Sequence, residues 1–232
     1  MNSNDAEFST EQMSSVEFHE KLETIQAHAH ALRNKELSLV SKLFGGGTLY
    51  DNHFFFVPSI ERSVRLIDGE LAMLESRNLP CAEILLRAQI DTCIRIYAAY
   101  IAADRKKLYD AFMQQKPIKD LKDKDKNKLT DNYLKKKLSE YAPSLSDYYD
   151  AMSGSVHYSA RSFFLMSTST MDDERKDYDF SLNFGGTPDT RWNSPLIECW
   201  NAFARFTDLH IELLEKTLLE ANPPSKDKVI ES

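Results

Sequence analysis

Phe18, Leu22, Ile25, Ala29, Leu32, Glu36, Leu39 and Leu43 follow one another at alternating steps of four and three residues. Only a helix places such a series on a single stripe, and here the stripe is interrupted once, by Glu36. The spacing predicts a helix from about Ser9 to Leu43, ended by the consecutive glycines at 45–47. A second stripe of the same kind, Ile197, Trp200, Ala204, Thr207, Ile211, Leu214 and Leu218, predicts a last helix from about Pro195 to Asn222. Two helices of similar length with matching seams are expected to lie antiparallel in one bundle, or to offer a surface to a second copy of the chain.

The stretch between the seams is also mostly helical in pattern. Pro58 is suited to the first turn of a helix over 59–77. Pro80 opens a third segment, "PCAEILLRAQIDTCIRIYAAYIAADRKKLYDAFMQQ", apolar around most of its circumference and therefore expected at the centre. The pattern leaves open whether it runs unbroken to 116 or breaks near Asp104. Helix is expected again over Tyr133–Tyr141 and Ser144–His157. Between 162 and 184 the period changes to two, with Tyr178, Phe180, Leu182 and Phe184 alternating, and this predicts one small β-hairpin. Seven glycines and eight prolines are few for a turn-rich β protein. The fold class expected is mainly α: a helical bundle with long N- and C-terminal helices and one hairpin. The organisation expected is a disordered stretch at 1–8, a single helical domain over 9–222 with a lysine-rich excursion at 116–132, and a flexible tail at 223–232.

Charge and motifs narrow the function classes. A net charge of −7 makes the surface as a whole repel nucleic acid and anionic lipid. Residues 116–137 run against that balance, with nine lysines and four aspartates, leaving −12 on the remainder. This stretch reads either as a solvated excursion or as a basic strip that touches phosphates. Three widely spaced cysteines without a C-x-x-C motif point to a reducing compartment. The N-terminus has no secretory pattern, and "IYAAYIAA" is too short to span a bilayer, so a soluble cytoplasmic protein with no membrane contact is expected. No phosphate loop, dinucleotide fingerprint or zinc motif is present, and no cofactor is expected. His19 and Glu23 share a helix face but His28 and His30 diverge, which favours a solvated face over a metal site.

Two four-residue series could carry chemistry. Glu83, Arg87, Asp91 and Arg95 form a ladder of alternating charge flanked by apolar residues. Tyr149, Ser153, His157 and Arg161 share a face for as long as their helix lasts. A neutral His157 could accept a proton while Arg87 or Arg161 holds an oxyanion or phosphate. The same residues could instead be internal salt bridges and a helix-clamping histidine. "RFTDLH", Arg205 to His210, fits R-x4–6-H, the active-site signature of HEPN domains, helical ribonucleases of prokaryotic toxin and defence systems. Eleven arginines and six histidines yield about one such spacing by chance, and five residues place the pair about 140° apart.

"LLRAQIDTCIRIYAAYI" (85–101) followed by "YYDAMSGSVHYS" (148–159) resembles a family of bacterial helical proteins of uncharacterised function. The family pattern is Arg-x-x-x-acid on one helix, then Tyr, Ser and His near the end of a later one. Arg87 and Asp91 match the first part, and Tyr149, Ser153 and His157 the second, across about residues 80–165. The acid is Asp where the pattern leads one to expect Glu, a shorter reach that alters any pairing. Such families look like distant relatives of HEPN domains, which implies an RNA-related role in phage defence or a toxin–antitoxin system. Two classes of function stand first. One is a metal-independent ribonuclease, with His157 as base on a 2′-hydroxyl and Arg87, Asp91, Arg161 and Tyr149 around it. The other is a non-catalytic interaction or regulatory protein, antitoxin-like, whose ladder is structural. A small-ligand sensor is a third. The partners expected are a second copy through the seams, and RNA or a protein.

Overall fold

The computed structural model describes residues 13–44, 53–157, 159, 167–172, 177–182 and 190–219. The fold is mainly α. Among the described residues there are seven α-helices: α1 (Ser15–Phe44), α2 (His53–Glu75), α3 (Leu79–Ile101), α4 (Arg105–Met113), α5 (Asp131–Tyr141), α6 (Leu145–Val156) and α7 (Asn193–Leu219). The hairpin expected over 162–184 lies in part outside the described residues. The segments expected to be loose, 1–8 and 223–232, the glycines at 45–47 and Arg161 also lie outside the described residues.

The seam of α1 closes within the chain. Phe18, Ile25, Ala29, Leu32, Glu36 and Leu39 are all buried, and Trp200, Ala204, Thr207, Ile211 and Leu214 of α7 are buried as well. A second copy would therefore have to use other surfaces. The direction differs from the expectation. His28 meets Trp200, Lys35 meets Asp208, Glu36 meets His210 and Lys42 meets Glu215, so the two helices advance together and run parallel. A seam records which face is buried and carries no information on direction. Instead α2 supplies α1 with its antiparallel neighbour, through Glu36–Ser63, Arg33–Asp68 and Gln26–Glu75.

At the centre, α3 packs along α7 and is flanked by α2 on one side and by α5 and α6 on the other. Asn78 caps the start of α3, its Oδ1 accepting from the Cys81 N–H at 3.2 Å, with Pro80 in the first turn. The helix ends at Ile101. Ala102 turns to extended backbone, and Asp104 caps α4 by accepting from the Lys107 N–H at 3.0 Å. That bond holds the Asp104 carboxyl below the usual carboxylate range. Arg105 covers the exposed carbonyls at the end of α3, reaching Ala99 O at 3.1 Å and Tyr100 O at 3.3 Å, and also Thr217 O of α7 at 3.4 Å.

Two further expectations change. Pro58 lies inside α2, which begins at His53. Proline removes one internal hydrogen bond there, but Phe55 and Phe56 pack on Tyr109, and Phe55 also on Phe112, which holds the preceding turn helical. The lysine-rich stretch is built around a buried acid. Asp123 accepts from the Asn127 N–H at 2.8 Å, from Asn127 Nδ2 at 3.3 Å and from the Tyr133 hydroxyl. Ile118, Leu129 and Leu134 are buried beneath this turn, and Thr130 caps α5.

Candidate functional site

The ladder of α3 faces α5 and α6, with its first two charges largely withdrawn from water and its last two reaching it. Glu83 is buried and accepts a hydrogen bond from the Ser155 hydroxyl. Arg87, with its side chain 13% exposed, pairs with Asp91, 43% exposed, one turn on, by proximity and outside hydrogen-bond alignment. The guanidinium lies 3.4 Å from the centroid of the Tyr149 ring, and its Nε reaches Ser153 Oγ at 3.5 Å. Ser153 also donates to the Tyr149 carbonyl at 2.7 Å. Lys135 of α5 approaches the Tyr149 ring at 5.1 Å and pairs with Asp150 at 2.8 Å. Arg95 closes the series on Asp131 at 2.7 Å. A cation over a tyrosine face contributes about 1–2 kcal/mol when partly desolvated. Arg87, Asp91, Tyr149 and Ser153 are thus brought together.

His157 is the C-cap of α6. The helix stops at Val156, and His157 adopts extended backbone with an exposed side chain, so the face shared by Tyr149 and Ser153 does not continue through it.

Arg205 and His210 occupy different environments. Arg205 is exposed and stacks on Tyr148, 5.6 Å from its ring centroid, with a hydrogen bond to the Tyr148 hydroxyl at 3.1 Å. His210 is fully buried, its Nδ1 2.7 Å from Glu36 Oε1. Within one chain the "RFTDLH" residues are not assembled into a site.

Sequence reasoning missed the set that His210 belongs to. Glu36 Oε1 also accepts from the Ser63 hydroxyl at 2.6 Å. Gln89 Nε2 donates to Ser63 Oγ at 2.9 Å and to Thr207 Oγ1 at 3.3 Å. Glu36, Ser63, Gln89, Thr207 and His210 come from α1, α2, α3 and α7, and every one is fully buried. The signals in the sequence were the polar residues within the two seams, Glu36 in the first and Thr207 in the second. Cys93 borders this set, donating to the Phe206 carbonyl at 3.1 Å, and burial followed by the nearby Glu36 pushes its thiol far up. Glu70, also sealed, accepts from the Cys199 thiol at 3.4 Å, and burial pushes its carboxyl up to about 8. The Cys93 thiol is thus held protonated and is a poor nucleophile.

On α1, His19 meets Ser15 O at 2.7 Å and His28 lies against Trp200. Among the described residues no group of three His, Cys, Asp or Glu is placed to hold a metal ion, and no helix is long and apolar enough to cross a membrane. No family model, no curated protein and no solved structure matches the chain.

Proposed function

We propose that this chain acts by binding rather than by catalysis, as an interaction or regulatory protein of the antitoxin-like kind. The observation that carries the reading is the ladder. Glu83, Arg87 and Arg95 are each engaged by a residue of α5 or α6, so the charges that could have formed an active site fasten those helices to α3. A side chain already engaged by the neighbouring helix suits a scaffold better than a site that must bind and release, most of all at Glu83 and Arg87, the two least exposed. The splitting of Arg205 from His210 supports the same reading.

The test is cleavage of a mixed RNA pool in EDTA by wild type, His157→Ala and His210→Ala, with circular dichroism to confirm that each is folded. The expected result is no cleavage by folded wild type. Cleavage that disappears in a folded His157→Ala variant would overturn the reading. It would establish instead a metal-independent, HEPN-like ribonuclease with His157 as general base and Arg87 beside the phosphate.

A further inference from the structure

Where α3 ends, the chain leaves a cleft of about 310 Å³ that none of the polar sets above occupies. Its walls are the last turn of α3, the 123–125 turn and α5. We propose that this cleft binds a small alkylated ammonium ion, either free or as the head of a methylated lysine side chain.

The lining holds three carboxylates, Asp123, Asp125 and Glu140, against two lysines, Lys124 and Lys137, which leaves it one negative charge. Lys137 is held by Glu140 at 3.0 Å, and Lys124 and Asp125 are exposed neighbours in the chain. The charge left over is that of Asp123, a residue only 4% exposed. Burial acts to raise its carboxyl, but the bonds from Tyr133 and Asn127 win and hold it below its ordinary value, so it stays ionised. Among the described residues no lysine, arginine or histidine comes within ion-pair distance of it. A covered carboxylate that keeps its charge ordinarily has a cation beside it.

The rest of the lining selects the kind of cation. Tyr97 and Tyr100 stand one turn apart on α3, ring centroids 6.2 Å apart and planes tilted by 35°. Tyr133 lines the same cleft from α5. It donates its hydroxyl to Asp123 and accepts from Asn127 Nδ2 at 3.1 Å, so its ring is held in place. Tyrosine faces attract organic ammonium ions through the negative face of the ring. A carboxylate offers about four acceptor positions, and Asp123 already receives the Asn127 N–H, Asn127 Nδ2 and the Tyr133 hydroxyl. It therefore attracts by charge more than by new hydrogen bonds, which suits a nitrogen that carries methyl groups in place of N–H donors. The volume sits at the lower end of small-molecule sites and suits such a head group.

Of the nine lysines over 116–137, only Lys124 and Lys137 belong to this lining. At ordinary ionic strength, exposed charges act over about 8 Å, so the lining outweighs the remainder of the stretch.

RNA cleavage by the folded chain would overturn the non-catalytic reading and leave this site standing. The experiment is titration of the full chain with choline and tetramethylammonium, followed by two-dimensional amide NMR. Ethanolamine and the uncharged carbon analogue of choline serve as controls, and a short peptide carrying trimethyl-lysine as a second source. Saturable shifts at Tyr97, Tyr100, Asp123 and Tyr133 with choline are expected. Tyr97→Leu is expected to weaken that affinity about tenfold, and Tyr97→Phe to leave it within about twofold. Two exposed positions test the charge without touching the core: Asp125→Asn is expected to weaken binding about threefold, and Lys124→Glu to strengthen it by a similar factor. A trimethyl-lysine peptide that binds more tightly than choline identifies a protein side chain as the source, and otherwise the free cation is the source. Absence of saturation up to about 20 mM for all the ammonium probes would overturn the proposal. So would the uncharged analogue or ethanolamine binding as tightly as choline, or Lys124→Glu weakening the complex.

Discussion

Two sets of polar side chains join the helices of this protein, and water treats them differently. Glu36, Ser63, Gln89, Thr207 and His210 are sealed at the junction of α1, α2, α3 and α7, whereas Arg87, Asp91, Tyr149 and Arg95 sit at the edge where α3 meets α5 and α6. In the sealed set an atom that loses its partner has no solvent to replace it. At the edge, water fills in behind a lost bond. The same kinds of bond should therefore contribute very different amounts to stability.

The largest effect expected is on the sealed set. His210→Ala leaves the Glu36 carboxylate buried with one partner fewer, and urea unfolding should show a loss of about 3–5 kcal/mol. Glu36→Leu combined with His210→Leu should recover most of that loss, because apolar groups of similar size need no partners. A double variant as unstable as the single one would break the comparison.

Glu70 sharpens it with the opposite sign. The unfolded carboxyl loses its proton near 4.5 and the folded one near 8, so between these values the folded state binds the extra proton. Stability linked to Glu70 is then full below about pH 4.5 and declines as pH rises towards 8. Glu70→Gln should remove that decline and raise stability at pH 7 by on the order of 3 kcal/mol, read from thermal melts across the pH window.

At the edge the effects shrink. Arg87→Ala removes the stack on Tyr149 and should cost about 1–2 kcal/mol, with Arg87→Lys recovering only part of it because an ammonium does not stack as a planar guanidinium does. Smallest of all, Arg95→Gln breaks the pair with Asp131 for under about 0.5 kcal/mol, a difference that chemical unfolding in high salt should erase.

The same contrast explains what could be read from the sequence. Periodicity reports on one helix at a time, so the seams of α1 and α7 and the central burial of α3 were legible from Phe18–Leu43, Ile197–Leu218 and the apolar flanks of Arg87. Glu36 was visible as an interruption, yet its partners Ser63 and His210 lie 27 and 174 residues away on other helices, and no local pattern links them. The relative direction of α1 and α7 was illegible for the same reason. The Asp123 turn was hidden by composition: alternating lysine and aspartate reads as solvated, while the order comes from one aspartate bonded to Asn127 and Tyr133. His157 was placed on the face of Tyr149 and Ser153 by counting in fours, a rule that ends where α6 ends, at Val156.

The parallel pairing of α1 with α7 also sets an order of events in time. Its contacts join residues 172 to 174 positions apart, so the helix made early in synthesis waits for one made much later. Until α7 arrives, the α1 seam has only α2 to cover it, and Glu36 has not yet met His210. Docking of α7 closes the longest loop in the fold's α1 contacts, and a chain truncated before α7 is expected to leave the α1 seam covered by α2 alone.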